Sequence, residues 1–193
     1  IERQKEDTGI RKVALTYDDG PDPVYTRELL AVLKEEDVRA TFFLLGQEIT
    51  GQEEIVREMY ADGHILGNHT YSHVDLAGLP EAEALEQLRK TNETIAACTG
   101  EYPQYFRPPF GRCSESVNEK MPMLMIMWTL DTRDWECQDT DRIVENVVQN
   151  VKENDIILMH DGYETTVEAT RQIIPLLKEK GYTFVTVEEL MCP

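Results

Sequence analysis

Short apolar runs alternate along the chain with longer stretches whose apolar residues recur at helical spacing. Val13-Ala14-Leu15-Thr16-Tyr17, Thr41-Phe42-Phe43-Leu44-Leu45 and Ile156-Ile157-Leu158-Met159 have the length and the β-branched or aromatic content of buried strands. His64 to Gly67, Tyr105 to Arg107, Met125 to Leu130 and Thr183 to Val187 read as further strands. Between them, apolar residues at helical spacing predict amphipathic helices over residues 24–36, 53–61, 80–97, 141–153 and 167–180. Pro80 suits a first helical position, and Gly63, Gly100 and Gly181 follow predicted helix ends. Strands that alternate with helices build parallel sheets. Seven such runs without an internal break predict an α/β fold, a closed or nearly closed (β/α) barrel of about seven parallel strands, with a doubly wound open sheet as the alternative. One stretch resists the pattern. Residues 113–127 offer no clear helix, and Met121, Met123, Met125 and Met127 at every second position read as strand-core packing.

The length of 193 residues suits one domain, with residues 1–11 as a flexible stub before it. That size buries enough surface to fold without disulfides. Charge narrows the partners. The 37 acidic and 19 basic residues give a formal charge of −18, and no Lys/Arg cluster stands against that field, which argues against nucleic acid or an anionic membrane as partner. No apolar run approaches the ~18 residues of a membrane span. The polar start carries no secretion signal, although a removed one would leave the same trace. Cys98, Cys113, Cys137 and Cys192 allow three pairings or none, and no Cys-x-x-Cys pair points to a zinc ribbon. Cys113 and Cys137 each follow a polar motif and are expected on one loop face.

In α/β folds the chemistry sits at the carboxyl ends of the strands, so polar motifs should follow the apolar runs. Five do. Asp18-Asp19-Gly20-Pro21 follows the first run; two adjacent carboxylates repel unless a positive group is near, although a helix-capping Asp in a turn would look the same. His69-Thr70-Tyr71-Ser72-His73 has two imidazoles four residues apart, which one helical turn would point to the same side, toward a shared cation. With Asp19 they make a two-His, one-carboxylate set that leaves positions open for water and substrate. Arg107-Pro108-Pro109-Phe110-Gly111 offers a guanidinium able to grip a carboxylate. Asp131-Thr132-Arg133-Asp134-Trp135 and Leu158-Met159-His160-Asp161 add further carboxylates and a histidine, and an imidazole beside a carboxylate suits a general acid. Asn68-His69-Thr70 and Asn92-Glu93-Thr94 match the glycosylation pattern by chance, since the first sits inside the metal motif.

Taken in order, the five motifs resemble those of the polysaccharide deacetylases (carbohydrate esterase family 4) over about residues 13–190. The resemblance implies a distorted (β/α) barrel and a metal-dependent hydrolase. It implies that Asp19, His69 and His73 bind one divalent metal, Zn2+ first, with Co2+, Ni2+ or Fe2+ able to fill the same set. It further implies Asp18 as general base, held by Arg107, and His160 as general acid, oriented and charged by Asp134. Trp135 and Leu158 would wall the pocket for the acetyl methyl, and the Phe110 backbone N–H would bind the oxyanion. Phe110 stands where the family often has Tyr, which a backbone role tolerates. The implied substrate is an acetylated polysaccharide such as peptidoglycan or chitin oligomers, handled by a monomer outside the cell or in its envelope. An acetyl-xylan esterase, a non-catalytic glycan-binding domain of the same fold and a domain with a purely structural metal are the competing readings.

Overall fold

The computed structural model describes residue 9 and residues 11–191. Of the expected N-terminal stub only Gly9 and Arg11 fall within that range, and Arg11 already opens the first strand. In chain order the elements are β1 (Arg11–Asp18), α1 (Tyr25–Glu35), β2 (Thr41–Leu44), α2 (Gly46–Ile49), α3 (Glu53–Ala61), β3 (Ile65–Asn68), α4 (Glu81–Thr99), β4 (Tyr105–Phe106), α5 (Glu115–Lys120), β5 (Leu124–Met125), β6 (Leu130–Asp131), α6 (Asp134–Cys137), α7 (Thr140–Asn150), β7 (Asp155–His160), α8 (Glu164–Glu179), β8 (Tyr182–Phe184) and α9 (Val187–Met191). Every strand pairing is parallel. Seven strands run in the order β5-β4-β3-β2-β1-β7-β6, and β8 pairs with the start of β1. The sheet curls into a half-barrel with helices outside.

Two expectations about residues 113–130 need correction. Met125 to Leu130 is not one strand but two fragments on opposite edges of the sheet, β5 beside β4 and β6 beside β7. Residues 126–129 cross the opening between them: the Ile126 N–H donates to the Phe106 carbonyl (2.8 Å) and the Thr129 N–H to the Ile156 carbonyl (3.0 Å). Among the described residues β5 and β6 do not pair, so the barrel stays open and this strap takes the place of a shared ladder. Residues 113–127 do contain a short helix, α5, with Val117 as its buried anchor. Met123 is buried beside Leu76, Leu88 and Phe106, with Met121 and Met125 packed on the same cluster, whereas Met127 is exposed.

The core follows the period of two that strands impose. Val13, Leu15 and Tyr17 of β1, Phe42 and Leu44 of β2, and Ile157 and Met159 of β7 face the helices and form the main core with Leu29, Leu33, Ile55, Val147 and Ile173. The alternate residues point into the barrel. Ala14 and Phe43 pack there with Ile126 and Val187, while the same register carries Thr16 and Asp18 to the inner face of β1 and His160 to that of β7. Asp18 and His160 therefore end neighbouring strands, directly opposite each other in register. Cys98, Cys113 and Cys137 are free; Cys113 packs on the smaller cluster and Cys137 on the main core, so they do not share a face, and Cys192 lies outside the described residues.

Gly67, in the middle of β3, permits the tightest approach inside the sheet: a Cβ there would meet the Phe43 ring at 2.5 Å and the Tyr105 carbonyl at 3.2 Å. Gly67→Ala is expected to lower stability by about 1–3 kcal/mol through overpacking. A urea titration that left the midpoint unchanged would show that the Phe43 ring moves freely.

Candidate active site

The carboxyl ends of β1, β3, β4 and β7 meet in one open cavity of about 350 Å³. Its lining includes Asp18, Asp19, His69, His73, Phe110, Trp135, Leu158 and His160, which were all singled out from the sequence, and also Pro108, Trp128, Asp131 and Tyr163, to which the sequence reading gave no role. Arg107 and Asp134 lie fully buried behind that surface.

Arg107 follows β4 and turns its guanidinium into the barrel. Nη1 donates to Asp18 Oδ1 and to Thr16 Oγ1 (2.8 Å each), Nε to the Ile126 carbonyl (3.1 Å) and Nη2 to the Met127 carbonyl (3.2 Å). The cation lies 4.2 Å from the Phe43 ring centroid and 5.7 Å from that of Trp128. Burial pulls the guanidinium pKa below its usual value and the Asp18 carboxylate opposes this; a guanidinium stays charged in proteins. Asp18 thus has a fixed cation on one oxygen, and its other oxygen sits 3.8 Å from His69 Nε2.

Asp19 adopts a left-handed backbone (φ 77°). Its Oδ1 lies 3.3 Å from His69 Nε2 and 3.4 Å from His73 Nε2. The two histidines do not converge through a helical turn, as their spacing suggested. Residues 69–73 form a loop, and left-handed Thr70 and His73 (φ 72° and 54°) bend it so that the rings meet at 5.2 Å. The loop is braced from α4: Gln87 Oε1 accepts from the Tyr71 and Ser72 N–H groups. Asn68 is buried, with Nδ2 donating to the Leu88 carbonyl and to Asn92 Oδ1, which is incompatible with a glycan on Asn68.

This trio fits a divalent cation on its own chemistry. One ligand atom from each of Asp19, His69 and His73 falls within 4.8 Å of the others. The Asp19 Oδ1 is buried without a hydrogen-bond donor. The His69 Nδ1–H donates to the Arg107 carbonyl at 2.6 Å, since a carbonyl only accepts, and this leaves Nε2 with a lone pair aimed at the same point. Burial raises the Asp19 carboxyl, but His69, His160 and His73 more than offset it and hold it below the ordinary carboxylate range. Burial also lowers His73, which favours the neutral imidazole that a metal needs.

On the other side of the cavity, His160 Nδ1 donates to Asp134 Oδ1 at 2.8 Å. The Asp134 carboxylate is saturated: it also accepts from the backbone N–H groups of Trp135 (2.9 Å) and His160 (2.7 Å) and from Thr166 Oγ1 (2.7 Å). Burial disfavours charge on His160, yet Asp134 and the more distant Asp18 and Asp19 dominate and lift its pKa to about 9. Leu158 is buried at the cavity wall, whereas Trp135 (51% exposed) and Phe110 (65%) stand at the rim. Phe110 has a left-handed backbone (φ 59°) and an edge contact with the His73 ring at 4.8 Å. Beneath the metal-side turn, Asp161 is fully buried, accepts from Thr26 Oγ1 at 2.7 Å, and is raised by burial to about pKa 7. Its carboxyl fills the space where a Cβ on Gly20 would sit, so only glycine fits there. The sequence signal for Asp161 was its place directly after His160 at a strand end.

Comparison with known proteins agrees with this architecture. A polysaccharide deacetylase family model matches residues 5–125. The chain is 39% identical over 186 residues to a peptidoglycan-N-acetylglucosamine deacetylase of Bacillus cereus, covering 93% of this chain and 68% of that protein. It is 34% identical over 201 residues to a chitooligosaccharide deacetylase of a Bradyrhizobium strain, covering 95% and 92%. The solved structure of peptidoglycan deacetylase PdaC from Bacillus subtilis superposes with a TM-score of 0.93 at 36% identity, over 96% of this chain and 92% of that one. Some relatives are much longer: the chain spans 39% of the peptidoglycan deacetylase PgdA of Listeria monocytogenes. The chain belongs to the polysaccharide deacetylase family.

Arg107→Met removes every hydrogen bond of the guanidinium and leaves Asp18 buried without its cation. Breaking a buried pair in this way costs about 3–5 kcal/mol, and chemical denaturation is expected to read a loss of that size. Arg107→Lys, with one nitrogen, cannot reach both Asp18 and the strap and should fall between. A lysine variant as stable as the parent would mean that the strap carbonyls contribute nothing.

Proposed function

We propose that this chain is a metal-dependent hydrolase that removes N-acetyl groups from N-acetylglucosamine residues of a polysaccharide such as peptidoglycan or chitin oligomers. The observation that carries the reading is the convergence, in one cavity, of an Asp-His-His cluster flanked by an Arg-held carboxylate and an Asp-held imidazole. Asp19, His69 and His73 would hold the cation. Zn2+ suits two imidazole nitrogens and a carboxylate, and Co2+, Ni2+ or Fe2+ would fit the same donors. When bound, such a cation supplies a Lewis acid that polarises the acetyl carbonyl and makes water acidic enough to lose a proton near neutral pH.

Asp18 is the general base in this reading. Arg107 fixes one of its oxygens, and the other is left facing the metal cluster, where it can take a proton from the attacking water. His160 is the general acid on the opposite wall and delivers its Nε2 proton to the leaving amine nitrogen. Asp134 is a positioning residue that fixes the imidazole by its Nδ1–H. The base faces a cation and the acid faces an anion, which is the opposition of environments that an acid–base pair requires. Leu158 and Trp135 bound an apolar recess for the acetyl methyl, and the Phe110 N–H is the donor to the developing oxyanion. A polymer substrate puts the protein outside the cell or in its envelope; no helix among the described residues is long and apolar enough to cross a membrane. The domain is taken to span residues 1–193 and to act as a monomer.

Acetate release tests the reading. Asp18→Asn and His160→Ala are each expected to lower turnover by about 10²–10⁴-fold on N-acetylated oligomers. Chelation should abolish release and leave the far-ultraviolet circular dichroism unchanged, since the cluster sits on loops outside the core. Turnover of acetylated xylan with none of chitin oligomers or peptidoglycan would replace the amidase by the esterase, and unaltered release from either variant would refute the role assignment.

The pH dependence has a definite sign. A general acid works in its protonated form, so kcat should fall as pH rises through the His160 pKa, which lies near about 9 without a metal. A dication nearby lowers that value, which puts the alkaline limb at or below it. Asp134→Asn removes the anion that raises the pKa, and the limb should move to lower pH while kcat drops. A limb that stayed in place in that variant would assign it to another group.

A further inference from the structure

A second recess lies at the opposite end of the sheet from the cavity just described, where β3 and β4 begin. Three separate segments build it: Tyr60 at the end of α3, Glu101 and Tyr102 in the loop between α4 and β4, and Glu188 on α9. Its volume is about 180 Å³, too small for a polymer and of the order of a single ring. Two tyrosine–carboxylate pairs frame it. Glu101 stands beside the Tyr60 hydroxyl and raises its pKa, and the Tyr105 hydroxyl donates to Glu188 Oε1 at 3.2 Å. Each carboxylate keeps acceptor capacity beyond its tyrosine. Tyr102 is 62% exposed and Tyr60 is 40% exposed, a costly amount of aromatic surface to leave in water on one small patch. In the wall between them, buried His64 accepts the Ala40 N–H on Nδ1 (3.0 Å), which places its proton on Nε2.

Aromatic faces beside carboxylate acceptors match one class of ligand well. A pyranose ring has an apolar C–H face that stacks on tyrosine and hydroxyls that donate to carboxylates. The two glutamates, on a chain of net charge −18, disfavour anionic ligands such as phosphates. We propose that this recess is an accessory saccharide site that holds one hexosamine ring of the glycan and tethers the protein to polymeric substrate without taking part in hydrolysis. The proposal rests on the glycan reading above. Its consequence is avidity: a second contact matters on a dense glycan surface and not on an oligomer too short to reach both faces.

Tyr102→Ala and the double variant Tyr102→Ala/Glu101→Gln test it, both at exposed positions away from the cavity. Sedimentation binding to insoluble chitin and to purified peptidoglycan is measured beside acetate release from a soluble chitin dimer. We expect an apparent affinity for polymer lower by about fivefold or more, the loss of a stacked aromatic anchor, with release from the dimer unchanged. Polymer binding as tight in both variants as in the parent, or an equal fall of polymer binding and dimer turnover, overturns the accessory site. Failure of the parent to release acetate would instead refute the deacetylase reading and leave the binding comparison intact.

Discussion

The arrangement depends on one buried ion pair. Arg107 and Asp18 lie in the interior of an open barrel, with the guanidinium fully buried and the carboxylate 3% exposed. Taking both charges from water is expensive, and an apolar pair of the same volume would often be as stable or more so. The cost is offset here by geometry: four hydrogen bonds, a phenyl face at 4.2 Å, and partners drawn from β1, from β2 and from the strap of residues 126–129. The pair therefore does two tasks. It holds Asp18 in one orientation at the mouth of β1, and it fastens the strap across the gap where a closed barrel would have a ladder. An apolar substitute could fill the volume but could do neither.

From that fixed point the period of two along parallel strands supplies the rest. Asp18 and His160 stand opposite each other because both end inward-facing rows on paired strands, and the same rows are small or apolar farther down, at Ala14, Thr16, Ile156 and Leu158. His69 follows β3, and its Nδ1 is tied to the carbonyl of Arg107 itself, so the residue that holds the carboxylate also sets the tautomer of a cluster imidazole. Asp134 then anchors the far wall through donors from three different positions, Trp135, His160 and Thr166. The positions of His160, Asp18 and the Asp-His-His cluster are in this sense one hydrogen-bonded frame rather than three independent placements.

Much of this was legible in the sequence because it is local. Apolar runs of strand length, followed at once by Asp18-Asp19, His69–His73, Arg107 or His160, announce both the parallel sheet and the end of it that carries the polar groups. What failed was whatever depends on where a segment must travel. Met125 to Leu130 has the composition of one strand, but the chain there has to pass from the β4 edge to the β7 edge, and it breaks into two short pairings with Trp128 between. The His-x-x-x-His spacing suggested a helical turn, whereas left-handed Thr70 and His73 and the Gln87 brace bring the rings together. Helix α5 has one buried apolar residue, too few to register as a periodic face. Tyr60, Glu101 and Glu188 are far apart in sequence and belong to no motif, so their meeting could only be seen in three dimensions.

Exposure within the cavity bears on the size of its substrate. The groups assigned to proton transfer are buried or nearly so, while Phe110 and Trp135 at the rim are more than half exposed. A cavity of about 350 Å³ that opens to solvent can admit an acetamido group and the ring that carries it, but not a longer chain. A polymer must therefore lie along the rim and present one side group at a time to the interior. On the proposed reading, the rim aromatics would govern which glycan is accepted and the buried frame would govern the reaction. Changes at positions such as Phe110 and Trp135 should then move substrate preference with little effect on the Asp18–Arg107 and His160–Asp134 pairs behind them, which makes the fold able to serve different acetylated glycans with one set of buried groups.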